Sequence, residues 1–186
     1  MLSIVTLLLQ APLPPAEPEP IVRADSVQIT EWKVPWDGRP RDPYSGPDGR
    51  VWFVGQAGNY IAYLEPSTGE FTRVEIEEGT HPHNLIVDKQ GVVWYAGNRN
   101  GTIGRYDPRT KQFQHYRMPD STVRDPHTLV FDREGHIFFT AQGSQAFGHL
   151  NTYTGEVRLV KVAPSSNPYG IAVDAPDRAW PSLFRS

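Results

Sequence analysis

One segment of this chain, residues 81–94, reads HPHNLIVDKQGVVW and returns twice further along the sequence. Residues 125–138 read DPHTLVFDREGHIF, and residues 167–180 read NPYGIAVDAPDRAW. The central aspartates of the three copies are 44 and then 42 residues apart, and each precedes an aromatic position by six residues. A period of about 40–45 residues rich in strand formers is typical of a β-propeller, in which one repeat builds one blade. The segment therefore predicts an all-β propeller.

Each repeat divides into four strand-like runs, as a four-stranded antiparallel blade requires. In the second repeat these runs are residues 83–88, 92–96, 102–106 and 113–118. Asn100-Gly101 lies between the second and third runs and is typical of a tight hairpin turn. We expect the blade aromatics to pack between neighbouring blades rather than to form a ligand cage; they are Trp52, Trp94, Phe138 and Trp180.

The repeats predict an incomplete ring over residues 27–186. We expect a latch strand at 27–35, blades at about 42–80, 81–124 and 125–166, and a half blade at 167–186, which is about three and a half blades of a larger ring. Open sheet edges favour pairing with another chain, so self-association is expected. Two explanations stay open: a truncated copy of a complete propeller, or a native half-propeller that dimerises.

The N-terminal segment predicts export. Residues 2–9 form a short apolar run, and residues 12–26 follow as a Pro-rich linker. An apolar run of this length at the N-terminus is typical of a secretory signal, here over residues 1–11, although no basic residue precedes it. The alternative is a frayed apolar tail. We expect a secreted or periplasmic protein.

Composition excludes several classes of function. The 186 residues carry a formal net charge of −3, which gives no reason to expect nucleic-acid binding. The chain has no cysteine, so disulfides and thiolate metal sites are excluded. The remaining apolar runs are strand-length, and we expect no membrane insertion after processing.

These repeats resemble the virginiamycin B lyase (streptogramin lyase) family of seven-bladed β-propellers. The resemblance covers residues 27–186. It rests on the recurring Pro-His or Pro-Tyr pair, the Asp-x-x-Gly-x-x-aromatic pattern, Ile103-Gly104-Arg105, and outer strands such as residues 29–35. Because one fold hosts many activities, the resemblance is stronger for the fold than for the chemistry.

The resemblance implies a lyase that opens a cyclic depsipeptide or a related ester by elimination, without water. By that likeness His127 would be the catalytic base, and His83, in the neighbouring repeat, would bind substrate. Asp125 and Gln142 would ligate Mg²⁺, a hard cation that prefers oxygen ligands. Gln142 departs from the family pattern, because it stands where the family has a second carboxylate.

Other interpretations remain open. The chain is alternatively a non-catalytic propeller that binds a peptide, saccharide or protein partner, or an inactive fragment. His81 and His83 lie on one face of an extended segment, which would suit zinc, but the sequence offers no third ligand.

Overall fold

All regular secondary structure in the described residues is β-strand. A computed structural model describes residues 29–184 of the chain, and these residues form fourteen β-strands and no helix. Three four-stranded antiparallel sheets and one two-stranded sheet follow each other in chain order. The all-β prediction and the prediction of four-stranded blades are confirmed, and residues from Trp32 onward belong to one compact unit.

The blades follow the repeats of the sequence. Blade 1 contains β1 (Pro40–Ser45), β2 (Val51–Gly55), β3 (Tyr60–Glu65) and β4 (Glu70–Glu75). Blade 2 contains β5 (Pro82–Val87), β6 (Val93–Gly97), β7 (Thr102–Asp107) and β8 (Gln112–Arg117). Blade 3 contains β9 (Pro126–Phe131), β10 (Ile137–Ala141), β11 (Ala146–Leu150) and β12 (Val157–Lys161), and the half blade contains β13 (Pro168–Val173) and β14 (Ala179–Leu183). The first strands of successive blades are neighbours, so β1, β5, β9 and β13 form the inner row.

Blade 1 begins earlier than the predicted boundary of about residue 42. β1 begins at Pro40, which pairs with Gly55 as Pro82 pairs with Gly97 in blade 2. Each blade has a proline twelve residues before its aromatic, and in blade 1 that proline is Pro40, not Pro43. The inner strand of blade 1 therefore begins two residues before the predicted boundary of about residue 42.

The recurring aspartate closes the turn after each inner strand. Asp88 Oδ1 accepts hydrogen bonds from the backbone N–H groups of Gln90 and Val92, both 2.9 Å long, and its Oδ2 accepts the Trp94 indole N–H at 3.1 Å. Trp180 donates to Asp174 in the same way at 2.9 Å. The six-residue spacing between aspartate and tryptophan therefore has a direct chemical reason.

The core lies mainly between blades. One buried cluster joins Trp52 and Ile61 of blade 1 to Leu85 and Tyr95 of blade 2. A larger cluster joins Trp94 and its neighbours in blade 2 to the apolar face of blade 3. Trp52 and Trp94 are buried as the repeat predicts, whereas Trp180 is 59% exposed because no described blade covers it.

The predicted latch is not a strand in this structure. Residues 29–35, the described part of the latch predicted at 27–35, have no strand hydrogen bonding. Val34 and Trp36 instead pack on Phe53 and Tyr60 of blade 1. A latch needs a partner strand in a last blade, and no such strand is among those described, so the pairing itself stays a prediction.

The predicted signal, residues 1–11, and the whole of the Pro-rich linker, residues 12–26, lie outside the described residues. Within the described part of the chain, no helix is long and apolar enough to cross a membrane.

Candidate functional site

The inner strands bring four equivalent side chains to one end of the blades. In each inner strand the residue after the first proline occupies the same register position, and these residues are Arg41, His83, His127 and Tyr169. Because neighbouring inner strands are adjacent, residues that are 42 to 44 apart in sequence become neighbours in space. The structure therefore brings together the predicted base, His127, and the predicted substrate-binding residue, His83.

The two histidines stack on each other. Their ring centres are 3.6 Å apart with an interplanar angle of 34°. The row continues from His127 to Tyr169, with ring centres 4.5 Å apart, and from Tyr169 to Phe184 at 5.8 Å. His83 and His127 are 7% and 4% exposed, whereas Tyr169 is 41% exposed, so the row runs from a buried pair to an open aromatic face.

Both histidines are held in the neutral form. The pKa of His83 is lowered to about 3, mainly by burial, with His127 and Arg41 acting in the same direction and Asp42 against them. Burial also lowers the pKa of His127, with Arg41 acting in the same direction and Asp42 and Asp125 against it. A cation buried in a poorly solvated place is unfavourable, and two adjacent cations more so. At neutral pH each ring therefore has one nitrogen with a free lone pair.

Hydrogen bonds through polar side chains connect the inner strands of blades 1, 2 and 3 beside the two histidines. Asn84 donates to Asp42 Oδ2 at 3.3 Å and accepts the Leu129 N–H at 3.0 Å. The same Asp42 Oδ2 lies 3.8 Å from His83 Nδ1, which is too long for a hydrogen bond. His83 Nδ1 is buried and has no hydrogen-bond partner among the described residues. An unpartnered buried nitrogen is costly, and a bound ligand or water would remove that cost.

His127 has a partner that fixes its orientation. Its Nδ1 lies 2.9 Å from Thr128 Oγ1, and the Thr128 backbone N–H donates to Thr140 Oγ1 at 3.3 Å. Thr140 in turn donates to the Tyr169 carbonyl at 2.7 Å. The ring of His127 is therefore held by its own blade and by the half blade that follows.

Asp125, predicted as a metal ligand, caps a turn. Its Oδ2 accepts the Gly143 N–H, and its Oδ1 accepts the Ser144 N–H at 3.1 Å together with the Ser144 hydroxyl. This carboxylate therefore holds the β10–β11 turn, residues 142–145, against the start of blade 3. Three donors already satisfy both of its oxygens.

Gln142, the second predicted metal ligand, lies in that turn. Its backbone carbonyl accepts hydrogen bonds from the N–H and the side-chain amide of Gln145. A magnesium site needs several oxygen ligands, usually with more than one carboxylate. Among residues 29–184 no group of three or more His, Cys, Asp or Glu side chains is arranged to hold a metal ion. The described residues do not by themselves fit a magnesium site, or the zinc site considered at His81 and His83. The magnesium prediction stays untested.

Sequence reasoning missed Arg41, Asp42 and Tyr169 as members of the site. Tyr169 could have been found, because it stands where His83 and His127 stand in their repeats. Arg41 and Asp42 carry no such signal, because the other repeats have His or Tyr at the first of these positions and Asn, Thr or Gly at the second. Counting twelve residues back from Trp52 to Pro40 would have placed Arg41 in line with the histidines.

A comparison with models of known protein families identifies a family for this chain. The model of the virginiamycin B lyase family matches residues 19–185. The chain belongs to the virginiamycin B lyase family. This match covers nearly the whole propeller region, and it confirms the resemblance drawn from the repeats.

Solved structures show how far the likeness extends. A virginiamycin B lyase from Staphylococcus aureus is 22% identical, with a TM-score of 0.77 over 85% of this chain and 54% of that one. A streptogramin B lyase is 24% identical, with a TM-score of 0.75 over 83% of this chain and 51% of that one. At these identities the comparisons show the shared fold alone. The chain spans about half the length of these relatives.

A further solved structure has the same fold. It is a catalytically inactive variant of the S. aureus lyase in which one histidine is replaced by alanine, determined with quinupristin. It is 22% identical, with a TM-score of 0.77 over 84% of this chain and 53% of that one. None of the curated protein sequences compared with this chain matches it significantly.

Proposed function

We propose that this chain is an exported lyase-type propeller, and that the stacked pair His83 and His127 receives a cyclic depsipeptide or a related ester. The observation that supports this most is two adjacent neutral imidazoles, buried at the end of the inner strands and lined by the aromatic Tyr169. Family membership supports the reaction class, and the predicted signal at residues 1–11 supports export.

His127 is the proposed catalytic base. If Nδ1 donates to Thr128 Oγ1, the lone pair of Nε2 is available for a proton. The base would remove the proton α to a carbonyl, a carbon–carbon double bond would form between the α and β carbons, and the bond from the β carbon to the ester oxygen would break. The ester leaves as a carboxylate, so the ring opens without consuming water. A neutral histidine suits this step because at neutral pH its lone pair is free to take up the proton.

His83 and the residues beside it bind and orient in this proposal. The unpartnered Nδ1 of His83 can accept a hydrogen bond from a substrate amide. Arg41, half-buried and bonded to Gln56 at 3.1 Å, adds positive charge where a carboxylate would form. No step depends on a metal ion, because the donor set at Asp125 and Gln142 does not complete a site.

The test is mass spectrometry of a cyclic depsipeptide, quinupristin, after incubation with the protein. Elimination predicts a linear product of unchanged mass, whereas hydrolysis would add the mass of one water. His127→Ala should reduce turnover by about a hundredfold or more, while His115→Gln, an exposed histidine on β8, should leave it unchanged. As the pH is lowered, turnover should begin to fall only below about pH 6.5, the ordinary pKa of histidine, because the pKa of His127 lies below that value. Equal turnover by His127→Ala would contradict the assignment.

A second candidate is a binding propeller without catalysis. It is favoured because the Asp125 carboxylate already accepts hydrogen bonds from Gly143 and Ser144. In that case quinupristin would bind in a manner sensitive to His83→Ala but would be recovered as the intact ring.

A further inference from the structure

A cavity lies at the opposite end of the inner strands from His83 and His127. Its volume is about 590 Å³, which falls within the range of about 300–1,000 Å³ typical of small-molecule sites. Tyr44 at the end of β1, Phe131 at the end of β9 and Tyr153 in the β11–β12 turn contribute aromatic surface. Since a strand rises about 3.3 Å per residue, the length of β5 separates this cavity from the histidine pair by roughly 15 Å.

Most charged side chains in the cavity wall are already paired. Asp88 accepts three hydrogen bonds from its own turn and from Trp94. Asp132 accepts the backbone N–H groups of Glu134 and His136 at 3.0 and 2.8 Å. Arg133 donates to Asp177 through its side chain at 3.0 and 2.8 Å. These groups stabilise the turns and have little capacity left for a ligand.

Two cations in the wall have no such partner. Lys89 is exposed in the turn after β5, and Arg105 is half-buried on β7. The guanidinium carbon of Arg105 lies 5.8 Å from the centre of the Trp94 ring, a cation–π distance. Neither cation forms an ion pair with another residue in the range 29–184, unlike Arg109 and Arg133 close by. Besides Asp88 and Asp132, the wall contains a third carboxylate, Glu134, whose side chain is 74% exposed and lies 3.5 Å from His136 Nε2.

We propose that this cavity binds an organic carboxylate that carries a flat apolar body. Arg105, oriented by its contact with Trp94, supplies two parallel N–H donors that match a carboxylate, and Lys89 adds a second positive charge at the rim. The apolar body packs on Tyr44, Phe131 and Tyr153, of which Tyr153 is 79% and Tyr44 37% exposed. The site is separate from the proposed catalytic histidines and is independent of any turnover there.

The test is an NMR titration of the full-length protein with 3-phenylpropionate. The indole N–H of Trp94 is the reporter because it lies beside Arg105, and a Trp94→Phe variant assigns its resonance. A saturable shift is expected. The alcohol of the same shape, 3-phenylpropanol, should bind roughly tenfold more weakly because it lacks the charge that pairs with arginine.

Matched variants locate the carboxylate. Arg105→Gln should weaken binding by about tenfold and Lys89→Gln by about threefold, since the first loses a forked pair and the second an exposed charge. Arg117→Gln, the same charge change on β8, and His127→Ala should leave binding unchanged. The proposal is overturned if the acid does not bind, if the alcohol binds equally well, or if Arg105→Gln binds as the unchanged protein does. If the protein binds 3-phenylpropionate as expected but does not turn over quinupristin, only the proposed catalytic function is contradicted.

Discussion

At the scale of single residues, the site depends on two buried histidines that stay neutral. His83 and His127 are held within 3.6 Å of each other in a poorly solvated place, and protonating either one would put a charge there. The same burial that keeps His127 unprotonated, with a free lone pair, makes the fold sensitive to acid. Function and stability are therefore linked through the same two rings.

This link predicts a pH-dependent stability. The pKa of His83 is about 3 in the folded chain and about 6.5 in an unfolded one, so between these values the unfolded chain binds more protons. The free energy of unfolding should therefore be highest above about pH 6.5 and fall as the pH drops towards 3, by at most about 1.4 kcal/mol per pH unit from this residue. Urea unfolding at several pH values measures this free energy.

The matched variant is His83→Asn, which removes the titrating ring. Its unfolding free energy should change less between about pH 6.5 and pH 4 than that of the unchanged protein. His127→Asn should act in the same direction, because burial lowers that pKa as well. Parallel pH profiles for all three proteins would show that these rings do not control the acid sensitivity.

The sequence predicted part of this site. His83 and His127 occupy the same place in neighbouring repeats, so their proximity follows from the fold. The role of Asp125 did not follow, because it depends on how residues 142–145 fold back onto the start of β9. The equivalent turns of blades 1 and 2 bond to the start of their inner strands through backbone oxygens, from Gln56 N–H to Arg39 and from Arg99 N–H to Thr80. The repeat pattern therefore does not point to a carboxylate in this role.

At the scale of strands and turns, each blade depends on the turn that follows its inner strand. Glycine occupies the left-handed position of this turn in three blades, with φ of 85° at Gly49, 80° at Gly91 and 86° at Gly135. In the half blade Asp177 takes that position at φ 60°. Its carboxylate accepts hydrogen bonds from Arg133 of blade 3, which offset the strain and connect the two turns.

The aspartate of this turn gives a second prediction. Asp88→Ala would leave two backbone N–H groups and the Trp94 indole N–H without their acceptor. We expect a loss of about 2–4 kcal/mol in the free energy of unfolding, because unsatisfied donors cost about 1–3 kcal/mol each where they are buried. Chemical denaturation measures the loss.

Asp48→Ala is the control for that experiment. Asp48 lies in the corresponding turn of blade 1 but is exposed; its carboxylate accepts the Arg50 N–H at 3.2 Å and lies 3.5 Å from the Arg50 guanidinium. Its removal should cost about 0.5 kcal/mol or less. An equal loss for the two variants would mean that the indole contact contributes nothing to the blade.

Strand order and blade number were predictable because the period fixes them. The start of blade 1 was not, since two prolines, Pro40 and Pro43, compete for one place and only the distance to Trp52 separates them. The latch over residues 27–35 was predicted from its likeness to outer strands, but a strand requires a neighbour with free hydrogen-bonding groups.

At the scale of the whole molecule, the described blades leave apolar surface open at both ends of the series. On blade 1, Trp32, Val34, Phe53 and Phe71 line a groove of about 270 Å³. On the half blade, Trp180, Leu183 and Phe184 are 59%, 49% and 68% exposed. β14 pairs only with β13 among the described strands, so its other edge is unpaired. Apolar patches beside a free edge favour association.

We therefore predict that this chain associates with a second copy of itself. Sedimentation velocity should give a mass above that of one chain, increasing with concentration. Leu183→Lys should shift the protein towards the monomer, because a charge on the edge strand opposes pairing. Val160→Lys, an equally exposed valine on β12, should have little effect. A monomer at every concentration would contradict the prediction.

The central claim is that His83 and His127 together form the ligand site, and histidine-selective NMR with quinupristin tests it most directly. Near pH 7 both rings should give the resonances of neutral imidazole. Both should shift when quinupristin is added, whereas the exposed His115 should not. Unchanged His83 and His127 resonances at saturating quinupristin, or shifts confined to His115, would contradict the account.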